Sequence, residues 1–308
     1  MSAALAEFRT SRWFKLVWIV PAVVVVLFLV VLVADSIRSS PGGQSFLKTY
    51  PGEATLPATA PVGFPAWLSW QHALNAFFLL LIVRSGWQFR TMKRPNGFWT
   101  RNNRGRFKTK NPPTRISVTL WFHFSLDLLW SVNGLLLYVL LFSTGQWLRI
   151  VPTSWDVFAN ALSALLQYTS LNWPTENGWV NYNALQLLAY FVITFIAAPL
   201  AIVSGIRMSP LWPKRATRLD RAYPVTVARA IHLPTMFFFV GFVIVHVTLV
   251  LATGALRNLN HLYGGSTNEN WLGFWIFVVS LVVMAAAWIA TSPLILRTLA
   301  GLTGSVSR

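Results

Sequence analysis

The stretch Arg229–Gly254, RAIHLPTMFFFVGFVIVHVTLVLATG, is an apolar run of bilayer-crossing length that carries two histidines, His232 and His246, fourteen positions apart. At about 100° per residue, fourteen positions bring a helix back to within roughly 40° of its starting face, and at about 1.5 Å per residue they separate the imidazoles by roughly 21 Å. One helix therefore offers two ligating groups on one side, at two depths. Two more apolar segments carry one histidine each: His72 in WLSWQHALNAFFLLLIV and His123 in VTLWFHFSLDLLWSVNGLLLYVLL.

Composition sets the class. Of 308 residues, 55% are hydrophobic and 11% charged, with a mean hydropathy of +0.54, which fits an integral membrane protein and not a soluble globular one. There is no cysteine, so disulfides, iron–sulfur clusters and covalent c-type haem attachment are excluded. The formal charge of +17 invites a nucleic-acid reading, but the basic residues sit between apolar spans, where they report topology.

An apolar run from about Val17 to Val33 follows the basic residues Arg9, Arg12 and Lys15. A signal sequence with a small-residue site near Ala34 is one reading. A retained anchor fits better, because the run exceeds the usual h-region of about 7–15 residues. Asp35 to Phe64, rich in Pro, Gly, Ser and Thr, reads as an irregular exposed loop. Five further spans are expected at Pro65–Val83, Ile116–Phe142, Tyr182–Ile206, Val225–Leu256 and Trp271–Ile295, each near the roughly 20 residues a crossing helix needs. The expected fold is an all-α integral membrane protein of six transmembrane helices. Residues 1–64 form an anchor and outer loop, 65–264 a four-helix haem-binding core, and 265–308 a final transmembrane helix.

Of the Lys and Arg residues, 21 fall on one side of this topology, and only Arg38, Lys48, Arg149 and Arg257 on the other. The positive-inside rule then makes both termini cytoplasmic in a multi-pass protein of the cell membrane. Ser143 to Asn181 is a long outward segment with Trp147, Trp155, Trp173 and Trp179. Within it SWDVFANALSALLQY has helical spacing after a possible Ser cap, as for a helix lying along the interface. Lipid-interface packing and docking of an outer-face partner both account for it. No repeats, G-x-G-x-x-G or Walker pattern occur.

Topology fixes depth. His72 lies about seven residues from the outer end of its span, and His123 about seven from the inner end of the next. His232 is near the inner side and His246 towards the outer. Matching depths pairs His72 with His246 and His123 with His232. A buried histidine is commonly a hydrogen-bonded packing residue, but ionisable groups in the membrane interior are costly and usually functional. Two levels about 20 Å apart cannot make one tetrahedral zinc site. Two non-covalent b-type haems, each held by two histidines, would use all four imidazoles. With no open iron position the chemistry would be electron transfer.

Small residues recur near these faces. Gly86 lies fourteen positions after His72 and Gly134 eleven after His123, where they either let a haem approach the backbone or let helices pack closely. Arg115 and Arg229 flank the inner pair, and Arg257 with Asn258 lies beyond the outer one. They are candidates for haem propionates, or ordinary topological and snorkelling charges. Asp127, one turn after His123, suits a structural hydrogen bond, a ligand-orienting contact, a proton relay or an ion pair. His261, in NLNHLYGG, reads as a surface residue, with a propionate or quinone contact as the functional alternative.

From QHALNAFFLLLIVRSG around His72, HFSLDLLWSVNGLLLY from His123, and HLPTMFFFVGFVIVH joining His232 to His246, the chain resembles the di-haem cytochrome b561-like family. That family includes the b-type cytochrome subunits of bacterial nickel–iron hydrogenases, formate dehydrogenases and thiosulfate reductases. The resemblance covers about Trp67 to Gly264. It implies a four-helix core with haem ligands His72, His123, His232 and His246, in the pairing that depth already suggests. It also implies electron transfer between a quinone pool and a catalytic subunit. RIVPTSW and ALRNLNHLYGG look most like cytochromes that partner outer-face molybdopterin oxidoreductases. An extra N-terminal span turns the core over relative to members whose first core helix starts inside, so the face of the quinone does not carry over. The last span, without histidine, reads as peripheral. The expectation is a membrane cytochrome b linking quinone to a partner oxidoreductase, in contact with lipid and not with nucleic acid. A stand-alone transmembrane reductase and a haem-free proton-coupled transporter are the alternatives.

Overall fold

The computed structural model describes residues 11–103, 108, 112–174, 177–213 and 217–307. Of the basic residues that set the expected topology, Arg9, Arg104, Arg106, Lys110, Lys214, Arg215 and Arg308 lie outside them. The chain is an all-α integral membrane protein. Its helices are α1 (Leu16–Ser39), α2 (Pro41–Thr49), α3 (Ala66–Thr91), α4 (Val118–Ser143), α5 (Asp156–Thr169), α6 (Ala184–Met208), α7 (Thr217–Ala222), α8 (Val225–Ala252), α9 (Ala255–Leu259), α10 (Leu272–Ala290) and α11 (Pro293–Gly301). Among the described residues six of these, α1, α3, α4, α6, α8 and α10, are long and apolar enough to cross a membrane.

The boundaries differ from expectation where local chemistry intervenes. Asp35 to Phe64 is not wholly irregular. α1 continues to Ser39, and Ser40 then caps α2 by accepting the Gly43 N–H at 3.1 Å, with Pro41 in the first helical position. α3 runs past Val83 to Thr91, carrying Arg84 with it, and the Arg84 guanidinium reaches the Thr291 carbonyl and lies 4.9 Å over Trp288. α10 stops at Ala290 because Ser292, held extended at ψ 156° ahead of Pro293, cannot continue the helix. α6 contains a π turn at Val192–Ala197, just before Pro199, whose missing N–H removes a helical hydrogen bond. The Tyr138 hydroxyl donates to the Thr194 carbonyl at 2.6 Å within that turn.

The chain forms two compact units. The first comprises the described residues up to 58, with 148–174, 177 and 181–190. In it α1 packs against α5 and is otherwise ringed by exposed apolar side chains, as lipid contact requires. Ala54, Val157, Ala161, Ala184 and Leu187 form its core. Gly52, at φ +101°, ties the chain down there by donating to Asn160 Oδ1 at 3.0 Å and accepting from the Ala184 N–H at 2.9 Å. The expected helix in SWDVFANALSALLQY is α5; Ser154 accepts the Asp156 N–H at 3.3 Å.

The second unit holds the rest, from residue 59 to 147, 178–180 and 191 onward. α3 packs beside α4, and α8 beside the second half of α6. A small sheet of β1 (Phe98–Arg101), β2 (Ile116–Ser117) and β3 (Gly304–Ser307), in the order β2-β1-β3 and antiparallel throughout, closes one end. Leu81, Val118, Phe122, Leu126, Leu296 and Ala300 pack beneath it. A π turn at Asn260–Gly264 follows α9 and rests on the start of α10, where the Gly273 N–H donates to Asn260 Oδ1 at 3.0 Å. A Cβ on Gly273 would run into the Leu259 carbonyl and the Asn260 backbone. Gly273→Ala is therefore expected to destabilise the protein by about 1–3 kcal/mol through overpacking, read as a lowered Tm of the purified chain in detergent.

Candidate functional site

The α3–α4 pair and the α6–α8 pair are each closely packed internally, and no comparable helix packing joins the two pairs among the described residues. Side chains bridge the gap. His72, in the second turn of α3, meets His246 near the end of α8, with ring centroids 6.1 Å apart. His123, in the second turn of α4, meets His232 near the start of α8, with centroids 6.4 Å apart. Midway along α8, Phe239 is buried and meets the Trp130 ring edge-on at 6.0 Å. Trp130 in turn donates its indole N–H to Asn75 Oδ1 at 2.9 Å.

These spacings can be tested against a bound metal. An iron held between two imidazoles at a metal–nitrogen distance of about 2.0–2.1 Å puts the ring centroids about 6.2–6.4 Å apart, each nitrogen lying roughly 1.1 Å from its centroid. The observed 6.4 Å falls within that span and the 6.1 Å just below it.

Hydrogen bonds fix the His123–His232 pair further. Ser85 donates its hydroxyl to the Ile82 carbonyl at 3.0 Å, and its oxygen lies 2.9 Å from His123 Nδ1. Ser204 donates to the Leu200 carbonyl at 2.6 Å, and its oxygen lies 2.9 Å from His232 Nδ1. A serine has one proton to give. With that proton on the helix carbonyl, each serine presents a lone pair to the Nδ1 of its histidine. Both serines are fully buried, and each is followed by glycine. A Cβ on Gly86 would stand 3.1 Å from His123 Cε1, and one on Gly205 3.5 Å from His232 Cε1. The two histidines thus rest in equivalent Ser-Gly seats, one on α3 and one on α6.

The other pair is held differently. His72 Nδ1 lies 3.4 Å from the Tyr263 hydroxyl, carried by the Asn260–Gly264 turn, and His246 stacks on Phe242 with centroids 5.4 Å apart.

Other sequence candidates take several positions. Gly86 makes room for His123, and a Cβ on Gly134 would meet open space. Arg115 lies over the Phe98 ring at 4.0 Å and donates to Ser307 at 3.1 Å, stitching the terminal strand in place. Arg229 is exposed in the second turn of α8. Arg257 and Asn258 close the end of that helix, donating at 3.0 Å to the Thr253 and Val250 carbonyls respectively. Asp127 Oδ2 is 3.6 Å from His123 Nε2. His261 is not a surface residue. It is 3% exposed, stacked on Phe64 and packed on Trp179. Ser85, Ser204, Gly205 and Tyr263 escaped the sequence reading; the recurrence of Ser-Gly near the same end of two spans was the available signal.

Comparison with protein-family models, curated proteins and solved structures gave no match. Among the described residues, no group of three or more His, Asp or Glu side chains gathers as a metal cage.

Two outcomes follow. The Cβ contact at Gly205 is an ordinary van der Waals distance, so Gly205→Ala should gain up to about 1 kcal/mol of helix propensity. Gly86→Ala must displace His123, so melting temperatures should rank Gly205→Ala highest, the unaltered chain next and Gly86→Ala lowest. Burial, then Arg257, hold the His261 imidazole below its ordinary 6.5, with Glu269 opposing. A folded-state value below the unfolded one means that stability is full above about pH 6.5 and is lost as pH falls through the folded value. His261→Gln should flatten that acid-side loss in unfolding curves taken at successive pH values.

Proposed function

We propose that the chain is a membrane cytochrome b whose four core histidines hold two haems and pass electrons through the bilayer. The observation that carries this reading is the pair of imidazole spacings, each close to the span of one iron held between two rings. Two imidazoles alone are a poor cage for a bare metal ion. A porphyrin supplies the four equatorial nitrogens itself and needs only the two axial donors found at each level. Bound haem would supply one-electron chemistry.

The chain's own part is to hold neutral imidazoles in lipid and to keep water from them. His72 and His246 would take one haem, and His123 and His232 the other. Phe239 and Trp130 occupy the level between. The excess of basic residues beside one set of helix ends supports a cell-membrane protein with both termini cytoplasmic, which puts the His72–His246 pair on the outer side. The resemblance noted in the sequence supports quinone as one redox partner. It also supports an oxidoreductase subunit, of the molybdopterin type on the outer face, as the other.

One contact favours a second reading, a haem-free proton-coupled transporter. Asp127 beside His123 Nε2, with His232 close enough to interact electrostatically, would make a short intramembrane proton relay.

Absorption separates the two. The purified chain should be coloured, with a reduced b-type alpha band and about two haems per polypeptide by pyridine haemochrome. His246→Ala should remove about half of that haem and leave the His123–His232 centre. A colourless chain, fully folded, sinks the cytochrome reading in favour of the transporter.

A further inference from the structure

We infer that Ser85 and Ser204 are positioning residues that lock His123 and His232 in the Nδ1–H form, making theirs the preformed centre of the two; this rests on the haem reading above. The serines sit on different helices and use the same device. Each spends its single proton on a carbonyl of its own helix, three or four residues back, and presents a lone pair to the histidine of the neighbouring helix at 2.9 Å. The Nε2–H tautomer would require each serine to swing its proton from that helix carbonyl to Nδ1, giving up the bond that anchors it. Losing it makes the Nε2–H form several-fold rarer at each ring; at His123 the Asp127 carboxyl, 3.6 Å from Nε2, then carries a proton until a cation is bound.

The resulting pair offers two Nε2 lone pairs on rings 6.4 Å apart. A ligating imidazole is oriented and made more basic by what its other nitrogen donates to. At the other level the corresponding partner of His72 is a phenol 3.4 Å away, on a turn and not on a helix. The two centres thus differ in kind: one is set by rigid helix-borne serines, the other by a turn-borne tyrosine.

The test uses the full chain in detergent, first without haem. With only five histidines, nitrogen-15 spectra resolve tautomers residue by residue. His123 and His232 are expected in the Nδ1–H form, turning to mixtures in Ser85→Ala and Ser204→Ala and returning to one form in Ser85→Thr and Ser204→Thr. In the haem-loaded chain, each alanine variant should lower haem affinity at the His123–His232 centre by about tenfold, with the His72–His246 centre unchanged. Nε2–H tautomers in the unaltered chain overturn the inference, as do alanine variants that leave both tautomer and affinity unaltered. A chain that shows locked Nδ1–H tautomers yet takes up no haem defeats the functional reading instead, so the two failures are told apart.

Discussion

An imidazole sunk in a bilayer has two nitrogens to satisfy and no water to satisfy them with, and the core of this protein is built around that constraint. An unpaired polar group of this kind costs on the order of 1–3 kcal/mol, a sizeable share of the stability of any folded chain. The structure meets half of the demand locally. Ser85 and Ser204, each anchored to its own helix, lie 2.9 Å from the Nδ1 of the facing histidine. Glycine follows both serines, and at Gly86 a Cβ would crowd the His123 ring. On the inferred tautomer an Nε2 lone pair is left on each ring, with the ring centroids 6.4 Å apart. Asp127, 3.6 Å from His123 Nε2, sharpens the point: a carboxylate and a bare nitrogen repel unless a proton or a metal lies between or beside them.

The arrangement of helices follows from the same need. If α3–α4 and α6–α8 met as closely as each packs internally, nothing wider than a side chain would fit between them. Instead the pairs are spanned by ring contacts: the histidines at two levels, Trp130 against Phe239 between them, and Tyr138 stacked on Phe195 at 5.5 Å. The π turn of α6 belongs to this scheme, since the Thr194 carbonyl is taken up by the Tyr138 hydroxyl from the opposite pair. Ring contacts, and not close backbone packing, are what join the two pairs.

Much of this could be read in the residues. Apolar run length located all six spans, and the fourteen-residue interval on α8 put His232 and His246 on one face, so that depth alone paired the four imidazoles as the structure does. Features with no local period stayed hidden. β3 pairs with β1 across some two hundred positions, and nothing in Gly304–Ser307 announces it. Arg115, Arg257 and Asn258 stood at depths suited to an anionic ligand, but depth cannot reveal that Phe98, Ser307 and the carbonyls ending α8 hold these side chains. α2 was obscured by glycines that suggested a loop, although Ser40 and Pro41 spell a helix start. His261 looked exposed because it lies in an expected outward loop with no histidine at its level to pair with; the rings that bury it come from Phe64 and Trp179.

The two levels are also held by parts of unequal stiffness, and this bears on how each can respond. The Ser-Gly seats lie inside α3 and α6, where moving a serine means bending a membrane-spanning helix. Tyr263 rides on the Asn260–Gly264 turn, kept in place by Asn260 bonding to Gly273 and by the absence of any side chain on that glycine. The same turn carries His261, packed between Phe64 and Trp179 and interacting with Arg257 and Glu269. Charge changes at that surface can therefore reach His72 through a few residues of turn, whereas His123 and His232 are insulated by whole helices.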